Sequence, residues 1–156
     1  MLKGIAAALF SATYLFGVTS DAKWSATLQP QNGAKVSGTA TVEAKGADST
    51  QFTVSIKGAA PSATLYWPMH NGKCSEAGSI VGPQASYPEL KPGTTGTAEA
   101  MVTLAVAPPS SGTFSIQVHK ATTMGGEGGA ASDAAGAKGS KATVACGELK
   151  PLGANP

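Results

Sequence analysis

The sequence predicts an all-β domain, a sandwich or barrel of short antiparallel strands. Apolar residues recur at every second position in four separate runs, and beyond residue 22 no segment of useful length shows a 3.6-residue period. The chain also holds 20 glycines and 10 prolines, enough to bound many short segments with turns. Strict alternation marks a strand with one face in a core and the other in water. Residues 35–44 set Val36, Gly38, Ala40, Val42 and Ala44 against Ser37, Thr39, Thr41 and Glu43. Residues 51–57 set Phe52, Val54 and Ile56 against Thr53, Ser55 and Lys57. Val102, Leu104 and Val106 form a third stripe within 99–106, and Phe114, Ile116 and Val118 a fourth within 113–119. Asn32-Gly33 and Ser111-Gly112 are suited to tight turns. Short strands at this spacing belong to a sandwich or a barrel.

The N-terminus sets the compartment. Lys3 precedes an apolar run from Ile5 to Val18, followed by the small residues Thr19, Ser20 and Ala22. A positive start, a short apolar stretch and small residues at its end make a signal peptide over 1–22. As a membrane anchor the run is too short and is interrupted by Ser11, Thr13 and Gly17, since a span takes about 20 apolar residues. No cysteine follows it to carry a lipid. The mature chain is therefore expected in the periplasm or secreted, where disulfides persist, with no membrane attachment after cleavage.

Residues 23–156 make one domain. Loss of Lys3 and Asp21 leaves the formal charge of +2 unchanged. All the basic residues are lysines, scattered without a stripe, so nucleic-acid binding is not expected. The glycines at 125–129 are not followed by the Lys-Ser/Thr of a phosphate loop. No serine is marked as a nucleophile, so no catalytic residue is assigned.

Two segments break the alternation. Residues 74–96 read as one long irregular loop. Residues 121–139 are almost entirely Gly, Ala, Ser and Thr, with Glu127, Asp133 and Lys138 as the only charges, a composition that buries too little apolar surface to order itself strongly. Trp67, Tyr66 and Tyr87-Pro88 read either as core or as an exposed aromatic patch that receives a partner or carbohydrate.

The chemistry-bearing residues are few: two cysteines and two histidines. Cys74 follows His70 in Trp67-Pro68-Met69-His70-Asn71-Gly72-Lys73-Cys74, and Cys146 lies in Val144-Ala145-Cys146-Gly147-Glu148-Leu149. Between them, His119 ends the strand Ile116-Gln117-Val118-His119. The order is a His-bearing segment, a nearby cysteine, a long loop, a strand ending Val-His, a Gly-rich loop and a final Val-Ala-Cys-Gly. It resembles the copper/zinc superoxide dismutases over roughly residues 27–150, most closely the short bacterial superoxide-dismutase-like domains with the motif Trp-His-Val-His-x-Gly-x-Cys.

That resemblance implies a Greek-key β-sandwich or flattened barrel of about eight antiparallel strands with a Cys74–Cys146 disulfide. Two cysteines in an exported domain most often pair in any case, the alternatives being two buried thiols or a bridge between chains. The metal site carries over only in part. His70 matches the second histidine of the family's His-x-His pair, and His119 matches its late-strand copper ligand. The first histidine of the pair falls on Pro68, and residues 71–118 hold no counterpart of the bridging and zinc histidines. The arginine that guides superoxide falls on Thr143. Zinc, which takes about four ligands, is therefore not expected. A copper ion on His70 and His119 is the cofactor and partner the resemblance leaves, set against a histidine pair that binds no metal. Met69 and Met124 are weaker candidates, because thioether sulfur suits Cu(I) but Met69 should point to the face opposite His70. Met101 is out of phase with its strand's apolar stripe.

The expectation is an exported scaffold, with a copper-only superoxide dismutase as the alternative. N-terminal sequencing of the exported chain should begin at Lys23. A chain that retains Met1 would overturn the signal-peptide assignment.

Overall fold

The structure is a computed structural model, and it describes residues 22–121 and 143–152. Where the sequence alternates, strands form: β1 (Lys23–Pro30), β2 (Ser37–Gly46), β3 (Ser49–Lys57), β7 (Ala98–Leu104) and β8 (Phe114–Lys120). Shorter strands complete the set: β4 (Leu65–Tyr66), β5 (Met69–Lys73), β6 (Glu76–Ile80), β9 (Thr143–Glu148) and β10 (Lys150–Leu152). Eight of them pair antiparallel in the order β6-β5-β8-β9-β1-β2-β3-β7, in one sheet curled strongly into a half-barrel. β10 adds to β1, and β4 adds to β8. The described residues contain no α-helix, only a 3-10 turn over Gln84–Ser86. The all-β fold class is the one the alternation predicts.

After β3 the chain makes long crossovers as well as the short β5–β6 hairpin. The chain leaves β3 for β4 and β5, returns to lay β7 beside β3, and crosses again to insert β8 between β5 and β9. β1 joins the two halves. It pairs with β2 over Lys23–Leu28 on one edge, and with β9 through Gln29 and Pro30 on the other. The Asn32-Gly33 turn after β1 has both residues at positive φ (53° and 75°), as a tight primed turn requires, and closes with Ala34 N–H donating to Gln31 O.

Inside the curl, every second residue of each strand meets its counterparts. Trp24, Ala26 and Leu28 pack with Ala40, Val42, Phe52, Val54, Ile56, Ile116, Val118 and Ala145. β9 comes so close to β1 that a Cβ on Gly147 would stand 2.5 Å from the Thr27 carbonyl oxygen. Only glycine allows that approach.

Residues 74–96, expected as one long loop, are shorter in irregular structure than that. β6 lies within them, and the reason it escaped notice is visible in its burial. It is the last strand of the sheet, largely exposed, so Glu76-Ala77-Gly78-Ser79-Ile80 carries no apolar stripe and is held by backbone pairing to β5. The rest of the segment folds over the open core. Tyr87 is buried, its hydroxyl donating to Val81 O (2.7 Å) and its ring edge-on to Trp67 (5.4 Å) and Phe52 (5.7 Å). Trp67 is wholly buried and its Nε1–H donates to Pro88 O at 2.7 Å. Trp67 and Tyr87 are thus core, not an aromatic docking patch. Burial pushes the Tyr87 phenol up to about 12. The expectation for 121–139 falls, apart from Ala121, outside the described residues, as does the signal peptide apart from Ala22.

Cys74 and Cys146 are bonded, with Cα atoms 5.9 Å apart and a sequence separation of 72. Cys74 lies in the turn between β5 and β6, while Cys146 lies in β9, and β8 runs between those strands. The bond therefore straps the β5–β6 hairpin across β8. Closing a loop of this length is worth about 4 kcal/mol on the chain-entropy model. Replacing both cysteines by serine should lower the unfolding free energy by about 2–5 kcal/mol in urea titrations. A midpoint equal to that of the oxidised parent would show that the strap contributes nothing.

Candidate metal centre

The same alternation that fills the core leaves a second row of side chains on the other face. In the β5–β8 pairing Met69 stands opposite Ile116 and His70 opposite Ser115. Met69, Ile116 and Val118 point into the core, fully buried. His70, Ser115, Gln117 and His119 occupy the reverse face, where Gln117 stands opposite Cys146 of β9. This face is itself largely closed: Ser115 is 0% exposed, Gln117 7% and Cys146 3%.

Each histidine sits beside a bulge, and the two rings approach each other on this face. By register, His70 is level with Ser115, four residues from His119, or about 13 Å along a strand. Yet the imidazole centres are 5.9 Å apart, with the ring planes at 67°. His70 sits where the β5–β6 register slips, before Gly72 at φ +95°, a backbone angle that disfavours any side chain. His119 sits where the β8–β9 register slips, Val118 facing Ala145 and His119 facing Thr143. A bulge adds a residue on one strand and turns the neighbouring side chains off their regular direction.

Each ring has a partner at Nδ1. His70 Nδ1–H donates to Gly78 O at 3.0 Å, which leaves the lone pair on Nε2. That Nε2 is buried and has no hydrogen-bond partner in the protein. A ring nitrogen held by a backbone carbonyl, with the other free, is how metal-ligating histidines are oriented. His119 Nδ1 lies 3.2 Å from Thr143 Oγ1, at the position where the resemblance places a guiding arginine. Burial, and then the nearness of His70, push the His119 imidazole down to about 4, so it is neutral at neutral pH, the form that binds a metal.

Imidazoles sharing an ion at bonds of about 2.0–2.1 Å have ring centres about 5 Å apart at a tetrahedral angle and about 6 Å apart when nearly linear. The observed separation of the ring centres lies in that range. Among the described residues no group of three or more His, Cys, Asp or Glu is placed to hold a metal. Met69 turns into the core, away from His70, and Met101 is 60% exposed on β7. Met124 lies outside the described residues.

Reading the sequence residue by residue picks out the histidines but passes over Ser115 and Gln117, and it meets Thr143 only as the place of the missing arginine, not as a partner of His119. A signal for two of them was present, because Ser115 and Gln117 alternate in phase with His119. No protein-family model matches this chain, and no curated protein matches it. It is an all-antiparallel β protein with a curled eight-strand sheet and one disulfide.

The depressed His119 pKa has a consequence for acid stability. The unfolded chain takes up this proton near the ordinary value of 6.5, while the folded chain resists it until about 4. Stability is therefore full above 6.5, falls as pH drops through that window, and levels off below it, a loss of roughly 2–4 kcal/mol. Urea unfolding of the metal-free protein across this range should show the fall, and His119→Gln should remove it. Parallel pH profiles for the two proteins would refute the assignment.

Proposed function

We propose that this chain is an exported, superoxide-dismutase-like scaffold that binds one copper ion through His70 and His119, without zinc and without efficient dismutase turnover. One observation carries the reading: two imidazoles 5.9 Å apart, one of them with a buried Nε2 that no protein group satisfies. The curled eight-strand sheet and the Cys74–Cys146 bond support it as well, since both are what the resemblance implies. Export is proposed with it, from the signal-like N-terminus and the disulfide.

The roles follow from the contacts. His70 offers Nε2 because Gly78 O holds its Nδ1–H. His119 is kept neutral by burial and is held at Nδ1 by Thr143. Pro68, two residues before His70, is buried and its carbonyl accepts the Gln117 N–H, so it serves the strand ladder and brings no ligand atom. Copper, when bound, supplies a one-electron couple. Its two oxidation states favour different coordination, and two protein imidazoles support the cycle poorly compared with the four donors of the family's copper. The chain also has no arginine to draw superoxide in.

Equilibrium dialysis of the mature protein against Cu(I) and against Cu(II), followed by a dismutation assay, tests the reading. About one copper per chain is expected, lost in His70→Ala and His119→Ala, with a dismutation rate far below that of a full copper/zinc enzyme. Stoichiometric copper with fast turnover would instead establish a copper-only dismutase. No bound copper, with His70→Ala unchanged, would leave a scaffold without a metal.

A further inference from the structure

Among the described residues, two buried side-chain polar atoms lack any hydrogen-bond partner: His70 Nε2 and Ser115 Oγ. They belong to one cross-strand pair, directly opposed in the β5–β8 register and on one face of the sheet. Side chains so placed have Cβ atoms about 4.5–5.5 Å apart. A hydroxyl donor and an imidazole acceptor at that spacing are able to satisfy each other, and here they do not. Ser115 is fully buried, so its hydroxyl is cut off from bulk water. A buried group in that state costs stability unless something other than protein completes it.

Copper on His70 Nε2 accounts for one of the two atoms and leaves the other. A hydroxyl makes a poor copper ligand beside imidazole, but it readily hydrogen-bonds an oxygen ligand on the ion. Two nitrogens suffice for Cu(I), whereas Cu(II) takes additional donors in a tetragonal array. We infer that Ser115 seats a water molecule as a third, non-protein ligand of Cu(II) held by His70 and His119, and that it does nothing for Cu(I). The inference rests on the copper reading above. It makes Ser115 a positioning residue that selects between the oxidation states of the bound metal, at a standing cost to the metal-free fold. Ser115 lies outside the ligand set the resemblance implies.

The test is Ser115→Ala, a smaller side chain that the packed sheet accommodates, titrated with Cu(II) alone and with Cu(I) alone. Cu(II) binding should weaken about five- to tenfold, the loss of one hydrogen bond, while Cu(I) binding stays within about twofold of the parent. Without metal, the same variant should melt about 2–5 °C higher, because an unsatisfied buried hydroxyl has been removed. Unchanged affinity for both ions would overturn the inference. Equal weakening for both would also overturn it, by making Ser115 a general support of the fold. If the parent protein binds neither ion, the copper reading itself fails, and His70→Ala identifies that case because it then changes nothing.

Discussion

The covalent strap from Cys74 to Cys146 is the constraint on which the rest of this structure leans. β5 and β9 both neighbour β8, and the bond ties the turn after β5 to the middle of β9 across it. In a chain with 20 glycines and few large side chains, conformational entropy weighs heavily on the unfolded side. A cross-link spanning 72 residues removes a good part of that entropy before any packing is counted. It also holds together three strands that chain connectivity alone would leave apart, since β8 arrives between β5 and β9 only after two crossovers.

β8 has two buried faces. Its inner row, Ile116 and Val118, joins the apolar core, and its outer row, Ser115 and Gln117, is buried as well. A polar row in such a place is costly unless each group finds a partner. Gly78 O serves His70 and Thr143 serves His119, which fixes how the rings stand. Ser115 Oγ and His70 Nε2 are the points where satisfaction runs out. His70 and His119 each stand beside a bulge, one in the β5–β6 ladder and one in the β8–β9 ladder.

How much of this was legible depended on burial. β2, β3, β7 and β8 each carry an apolar stripe, and the alternation located all four to within a few residues. β6 is an exposed edge and has no stripe to read. β1 alternates Trp24, Ala26 and Leu28 but in a short run, and β9 is dominated by small residues. Met69 was readable as a core residue from strand phase alone, because it is one residue out of step with His70. Thr143 was not, since nothing local links it to His119, 24 residues away.

The sequence by itself determined what depends on period and residue type: an all-β chain, a pair of cysteines suited to bonding, and a supply of two imidazoles with no arginine and no third histidine. Only the tertiary structure decided that those imidazoles lie 5.9 Å apart, that Ser115 faces one of them, and that neither satisfies the other. Alternation tells which face a side chain takes, because each residue turns the strand by a constant half-step. It does not tell where two strands slip against each other, as they do beside His70 and His119, nor how near two rings on neighbouring strands will come.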